Sequence, residues 1–140
     1  DLEGARKAYE AGLAIAERLA EQDPRNAEWQ RDLSISHNNL GQVRESQGDL
    51  DGARRAYEAD LAICEKLAQH DPRNAEWQRD VLASHGKLGM LAMMGDDQAA
   101  AKAHFEVALE IAERLVKLDP SNAQWRKDLA AVRGLMGQVG

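Results

Sequence analysis

The sequence predicts an all-α fold of long helices packed in antiparallel pairs, and three observations support this prediction. Residues 23–32 recur identically at 71–80 and in a loosened form at 119–128, so the chain repeats one unit every 48 residues. Between these segments apolar residues recur at steps of three and four, which is typical of one face of an α-helix. All three prolines lie in the recurring segment, so the stretches between them can form uninterrupted helices.

Two kinds of helix alternate along the chain. A first-type helix follows each recurring segment, with Asn26 as the first predicted N-cap and an apolar row that begins at Trp29. A second-type helix precedes each segment, and Pro24 ends the first of them because the residue before a proline is pushed out of helical backbone angles. The six predicted helices are 2–22, 26–47, 50–70, 74–94, 98–118 and 122–139. We expect one domain over 1–140, made of second-type helix 2–22, units 26–70 and 74–118, and first-type helix 122–139.

The turns inside the two units carry glycine at different positions. Gly48 is predicted to end its helix in the left-handed conformation. The glycine of the second unit is Gly95, which comes 47 residues later, whereas Tyr57 and Phe105 are again 48 apart. One extra residue is therefore expected in the turn around 96–98, with a local difference in structure.

Composition limits the class of partner. The net charge is −6 with both signs interspersed, which argues against nucleic acid or an anionic membrane. No apolar run approaches the roughly 18 residues of a membrane span. Cys64 is the only cysteine, so an intramolecular disulfide is excluded and a cytoplasmic, reducing location is expected. The sequence opens on Asp1 in the middle of the pattern, and we interpret it as a piece of a longer protein or as a processed one.

Two sets of short motifs recur in the units: Leu40-Gly41, Gly48-Asp49, Ala53-x3-Tyr57 and Pro72, then Leu88-Gly89, Gly95-Asp96, Ala101-x3-Phe105 and Pro120. They resemble the tetratricopeptide repeat (TPR), whose pattern runs from Leu-Gly through Ala-x3-aromatic to Pro. The resemblance implies a right-handed α-solenoid that binds proteins. Gly41, Gly89 and Gly137 recur at a cost of about 1 kcal/mol each against Ala, which predicts close approach of the paired helix backbones. The small residues predicted to face these glycines are Ala5, Ala53 and Ala101.

The repeat departs from the family in length and in its aromatic positions. Its period is 48 residues, against about 34 in the family. His37 and His85 stand where the family has an aromatic residue three before Leu-Gly, and Arg44 or Ala92 replaces a later one. The long units resemble those of kinesin light chain, which shares Asn-Asn-Leu at 38–40, and of bacterial signalling proteins.

No residue pattern predicts catalysis, a cofactor or a metal. No Ser/His/Asp grouping, phosphate-binding loop or zinc-protease motif is present. His37 and His85 are interpreted as packing residues, because zinc requires more ligands than two histidines. His70 and His104 are expected to lack partners. Cys64 takes the register of Ala16 and Ala112, so we expect a buried, unreactive thiol.

The repeated tryptophans have two interpretations, a ladder of binding anchors or a filling between successive units. Their fixed spacing on the apolar row favours the second.

Candidate partner-binding residues lie beside the apolar row of the first-type helices. By the resemblance, these helices line the concave surface of a solenoid, where ligands dock. Amides can hydrogen-bond a peptide backbone, and methionines form adaptable apolar surfaces. The predicted partner-binding residues are Asn38, Asn39, Gln42, Glu45, Lys87, Met90, Met93 and Met94. Other residues placed on this surface are Ile35, Ala83, Gly86, Ala131, Gly134 and Gln138.

Two functional hypotheses follow. The chain is either a non-enzymatic module that binds a protein or peptide in the concave groove, or a structural spacer or self-association solenoid within a multidomain signalling protein, with possible contacts through exposed solenoid ends. Whether the three methionines bind a ligand or pack between units is left open by the sequence.

Overall fold

A computed structural model describes residues 1–139, and these residues fold into six α-helices without a strand. The helices are α1 (Leu2–Gln22), α2 (Ala27–Ser46), α3 (Leu50–His70), α4 (Ala75–Met94), α5 (Gln98–Leu118) and α6 (Ala123–Gln138). The all-α class and all six helices are confirmed, with ends within one residue of the predicted ones. Two compact halves divide the chain, Asp1–Gln69 and His70–Gly140. The single domain over 1–140 stays a prediction, and its last residue, Gly140, lies outside the described residues.

The recurring segment ends one helix and begins the next, as predicted. Asn26, Asn74 and Asn122 each accept a hydrogen bond at the side-chain oxygen from the backbone N–H of the following tryptophan, at 3.0, 3.1 and 3.0 Å. Such an N-cap satisfies one of the amide groups left without a partner in the first turn of a helix. The three copies therefore serve the same purpose, which is to start a first-type helix.

The turns after α2 and α4 are the same length, so the prediction of an extra residue around 96–98 is wrong. Gly48 has a φ of 83° and Asp96 a φ of 60°. The next residue of each turn, Asp49 or Asp97, donates its amide to the carbonyl five residues back, at 2.9 and 2.8 Å. Asp96 thus takes the left-handed position of Gly48, 48 residues on, and Gly95 matches Gln47 instead.

Each half has an aromatic ring packed on a glycine. In the first half, a Cβ added to Gly41 of α2 would come within 2.5 Å of Cε1 of Tyr57 on α3. In the second half, a Cβ on Gly89 of α4 would come closer still to the ring of Phe105 on α5. The nearest group at both glycines is the aromatic ring of the facing helix, and the approach of the two backbones stays a prediction. At Gly137 a Cβ would meet nothing within 4 Å, so no close approach occurs there among the described residues.

The ring of Phe105 lies in a small apolar cluster of the second half. Ala101 and Phe105 are fully buried with Val139, and Ala92, Met93, Leu135 and Met136 pack against them. The cluster joins α4, α5 and the end of α6. Tyr57 is buried to the same degree in the first half.

Candidate protein-interaction surface

In α2 the predicted binding residues divide into exposed and half-buried side chains. Gln42 is exposed, and Ile35, two turns earlier on the same helix face, is 44% exposed. Asn38 and Asn39 are half-buried, and Asn38 already has a polar interaction within the protein. Gln42 is therefore the amide of this helix with the most freedom to meet a ligand.

Glu45 is held by the scaffold of the first half. Its Oε1 accepts a hydrogen bond of 2.9 Å from the Tyr57 hydroxyl, which joins α2 to α3. Burial raises the pKa of Tyr57, and the Glu45 carboxylate raises it further because it stabilises the protonated phenol. Tyr57 therefore remains a hydrogen-bond donor to Glu45 over the physiological range.

In α4 two of the three methionines are presented to solvent. Met90 is 45% and Met94 55% exposed, and their spacing of four residues places them on one helix face. Gly86 lies one turn earlier on that face, and a Cβ added there would meet nothing within 4 Å. Met90 therefore borders open space on the helix surface.

Met93 and Lys87 are placed differently from the exposed methionines. Met93 packs against the cluster around Phe105, so its packing lies within the second half. Lys87 is half-buried and has an interaction of its own. On α6, the predicted surface residues Ala131, Gly134 and Gln138 are exposed.

His85 and His104 form a pair that the sequence did not predict. Their Nδ1 atoms lie 3.0 Å apart across α4 and α5, so the expectation that His104 lacks a partner is wrong. One ring must donate and the other accept, which requires at least one neutral imidazole. Burial lowers the pKa of His85 to about 4, and the neighbouring His104 contributes in the same direction. The pair is a packing contact that prefers the uncharged form.

One difference between the two repeats could have indicated this pair. Position 104 is alanine, Ala56, in the preceding repeat, so a histidine there is a change confined to one hairpin. Its contact with His85 depends on how α5 is rotated against α4, which periodicity alone does not give.

Arg79 and Asp128 form a second contact that the sequence did not reveal. Nε of Arg79 on α4 lies 2.7 Å from Oδ2 of Asp128 on α6. This hydrogen bond raises the pKa of Arg79, and the charge of Asp128 adds to the effect. This partly exposed ion pair joins α4 and α6 within the second half.

Cys64 is buried, as predicted. Its thiol donates to Oδ1 of Asp60, one turn earlier on α3, at 3.2 Å. Ala16 and Ala112 are buried at the same register. A thiol with such surroundings is a packing residue.

No group of three potential metal ligands occurs among residues 1–139. Over the same residues, no helix combines the length and apolarity needed to cross a bilayer.

A groove of about 560 Å³ runs between α5 and α6. Charged side chains line its α5 wall, and Leu129 and Arg133 lie on the α6 wall. The groove contains none of the predicted partner-binding residues.

Comparison with known families agrees with the geometry. Residues 36–74 match the family model described as tetratricopeptide repeat. This segment, which contains most of α2 and all of α3, is a tetratricopeptide repeat. Repeats of this family are non-catalytic and generally mediate protein–protein interaction. No curated protein matches the chain.

Proposed function

We propose that this chain is a non-enzymatic module that binds an extended or helical peptide of a partner protein on its first-type helices. The exposed pair Met90 and Met94 is the observation that carries this proposal. Two large apolar side chains on one face of a helix, next to the open space at Gly86, form a surface that an apolar peptide side chain can cover. Methionine suits such a surface because its unbranched chain adapts to different ligands.

The first half contributes polar contacts in the proposal. Gln42 offers an exposed amide that can both donate to and accept from a peptide backbone. Asn38 and Asn39 are secondary contacts because they are half-buried. Ile35 adds apolar surface at the same face.

Glu45, Met93 and Lys87 have a supporting part in this proposal. Glu45 and Met93 occupy the same register, and each contacts the aromatic ring region of its own hairpin. A ligand that recruited them would have to compete with those contacts. We therefore propose that they position the binding helices and touch a ligand only at the edge of the surface.

A peptide-display selection against the 140-residue chain tests the proposal. Selected peptides are synthesised, and their affinity is measured by fluorescence anisotropy for the parent chain and for variants. Met90→Ala with Met94→Ala should weaken binding at least about tenfold, which corresponds to about 1.4 kcal/mol. Gln42→Ala should have a smaller effect in the same direction.

Val107→Ala is the matched control, because Val107 is an exposed apolar residue of the second-type helix α5. This variant should bind with the affinity of the parent chain. Undiminished affinity of the methionine variant, or an equal loss in the control, would reject the surface on α4.

A second candidate function is a self-associating spacer within a larger, multidomain signalling protein. Both functions are proposed for a fragment of a larger protein at a cytoplasmic location.

A further inference from the structure

The sulfur atoms of this chain differ in their access to solvent. The sequence contains four methionines and one cysteine, all of them among the described residues. Met90 and Met94 are exposed on one face of α4. Met93, which lies between them in the sequence, is half-buried and packs against the cluster around Phe105. Two thioethers therefore meet water, and the third within the same stretch of helix is partly shielded.

The other two sulfur atoms also lie away from the exposed face of α4. Met136 of α6 is half-buried against the same cluster. Cys64 is buried in α3, and its thiol donates to the carboxylate of Asp60. Oxidants modify protein sulfur according to its exposure and, for cysteine, according to its thiolate character. The structure therefore directs mild oxidation to Met90 and Met94.

We propose that Met90 and Met94 are a reversible oxidation site, at which a peroxide converts the apolar face of α4 into a polar one. The effect of this change on binding rests on the proposed function, because the same two side chains form the proposed peptide surface. Their selective oxidation does not depend on that function. The oxidation state of the two sulfur atoms decides whether the surface accepts an apolar ligand.

The chemical step needs a peroxide and no group of the protein beyond the thioether. The sulfur attacks one peroxide oxygen, so that an S–O bond forms while the O–O bond breaks. Sulfur loses two electrons, and the proton of the transferred oxygen moves to the departing hydroxide, which leaves as water. Reversal by methionine sulfoxide reductases takes two electrons and two protons from a pair of thiols, which become a disulfide, and the oxygen leaves as water.

The position of the two side chains explains why the fold should tolerate this change. Neither Met90 nor Met94 belongs to the buried core, whereas Met93 packs on the cluster around Phe105. A sulfoxide oxygen on an exposed side chain stays hydrated, so it lacks the desolvation cost of a buried polar group. The same oxygen must lose its water when an apolar ligand covers the surface. Oxidation should therefore weaken binding without unfolding the chain.

Peroxide treatment followed by peptide mass mapping tests the site itself. The 140-residue chain is exposed to a graded series of hydrogen peroxide concentrations, and the sulfoxide at each methionine is quantified by tandem mass spectrometry. Met90 and Met94 should oxidise at least about fivefold faster than Met93, because susceptibility follows exposure. Circular dichroism should show an unchanged melting temperature after both have reacted. Reductases specific for the two sulfoxide epimers should together restore the unmodified mass.

Three outcomes of this experiment would overturn the proposal. They are equal oxidation of Met90, Met93 and Met94, unfolding that accompanies modification of the exposed pair, and sulfoxides that the reductases cannot remove. None of them bears on whether the chain binds a peptide, so failure of the oxidation site and failure of the proposed function are distinguishable.

The effect on binding is measured with a selected peptide that lacks methionine and cysteine, after the peroxide has been removed. The affinity of the oxidised chain should fall at least about tenfold, and the reductases should restore it. Met90→Leu with Met94→Leu gives a surface that cannot be oxidised, because leucine has no sulfur. The affinity of this double variant is compared before and after peroxide, with its own starting value as the reference, and should not change.

Met136→Leu is the matched control, because it removes a packed methionine and leaves the exposed pair. This variant should lose affinity on peroxide treatment as the parent chain does. Unchanged affinity of the oxidised parent chain, or an equal loss in the double leucine variant, would overturn the proposal. A display selection that yields no peptide would count against the proposed function, and the mass mapping would still decide the oxidation site.

Discussion

The α2–α3 and α4–α5 hairpins place equivalent residues 48 positions apart. The contact between the aromatic ring of the second-type helix and the first-type helix nevertheless has different chemistry in the two hairpins. In the first hairpin Tyr57 donates its hydroxyl to Glu45. In the second hairpin the same two positions are Phe105 and Met93, which pack in an apolar cluster. The two substitutions correspond, because the second hairpin lacks both the hydroxyl donor and the carboxylate that accepts its hydrogen bond.

The comparison teaches which positions the repeat copies and which it varies. Both hairpins retain the glycine on which the aromatic ring packs, the Asn cap and the left-handed turn, even where Asp96 replaces Gly48. Polar pairs differ between the hairpins, as with His104 in place of Ala56. The retained residues set the arrangement of the helices, and the varied residues make the two hairpins chemically different.

Phe105→Tyr should have the largest effect on stability. Phe105 is fully buried beside Met93, so the added hydroxyl would lack an acceptor. We expect a loss of about 2–3 kcal/mol in the free energy of unfolding. Urea denaturation followed by circular dichroism measures it, and Val107→Thr, an exposed change on the same helix, serves as a control. A loss under about 0.5 kcal/mol, the usual range for surface changes, would contradict the packing described for α5.

Gly41→Ala should come next, with a loss of about 1–2 kcal/mol. The new Cβ would displace the buried Tyr57 ring, and this strain outweighs the gain in helix propensity. Gly12→Ala is the matched control: Gly12 is an exposed glycine inside α1 with nothing near its Cβ direction. It should stabilise the protein by up to about 1 kcal/mol. A change of the same sign in the free energy of unfolding of both variants would contradict the packing of the Tyr57 ring on Gly41.

Acid should destabilise the protein through His85. Its folded pKa of about 4 lies below the ordinary value of 6.5, so the unfolded chain binds a proton that the folded chain excludes. Stability from this site is complete above pH 6.5 and is lost as the pH falls toward 4. Because the site retains some solvent contact, we expect about 1–2 kcal/mol between pH 7 and 5.

Thermal melts at several pH values provide the measurement. His85→Asn should reduce the fall in melting temperature between pH 7 and 5, whereas His70→Asn, at the exposed end of α3, should not. His37, whose pKa is also lowered by burial, should leave a residual slope in His85→Asn. An unchanged slope in His85→Asn would contradict the assignment.

The turns should show the smallest effect, with opposite signs in the two hairpins. Asp96→Gly should stabilise the protein by about 0.5–1 kcal/mol, because glycine adopts a positive φ without steric cost. Gly48→Asp should destabilise it by a similar amount for the same reason. Denaturant midpoints measure both variants. A destabilised Asp96→Gly would show that the carboxylate has another role in the turn.

Local chemistry explains why the helices were predictable and the contacts were not. Asn26 caps its helix through a bond to a residue three positions away, so sequence alone predicts it. Asp96 was missed because Gly95 beside it suggested the left-handed position, although aspartate also tolerates that conformation. The His85–His104 contact depends on helix rotation, which the apolar pattern defines only to within a broad face.

The candidate surface was predictable to a similar extent. Positions off the apolar row, such as Gln42, Met90 and Met94, are exposed as their register indicates. Glu45 and Met93 lie at the border of that row, and there the partner on the facing helix decides whether a side chain packs inward. Partner binding by all these residues remains a prediction.

A double-mutant cycle at Met93 and Phe105 tests most directly whether this pair occupies the same place as Glu45 and Tyr57 in the first hairpin. Transfer of the first hairpin's pair, by Met93→Glu with Phe105→Tyr, should recreate the bond seen between Tyr57 and Glu45 at 2.9 Å. We predict a favourable coupling of about 1–2 kcal/mol, so that the double variant is more stable than the sum of the single changes implies. Additive losses of stability, with a coupling below about 0.5 kcal/mol, would contradict the claim that the two hairpins hold these paired residues in the same geometry.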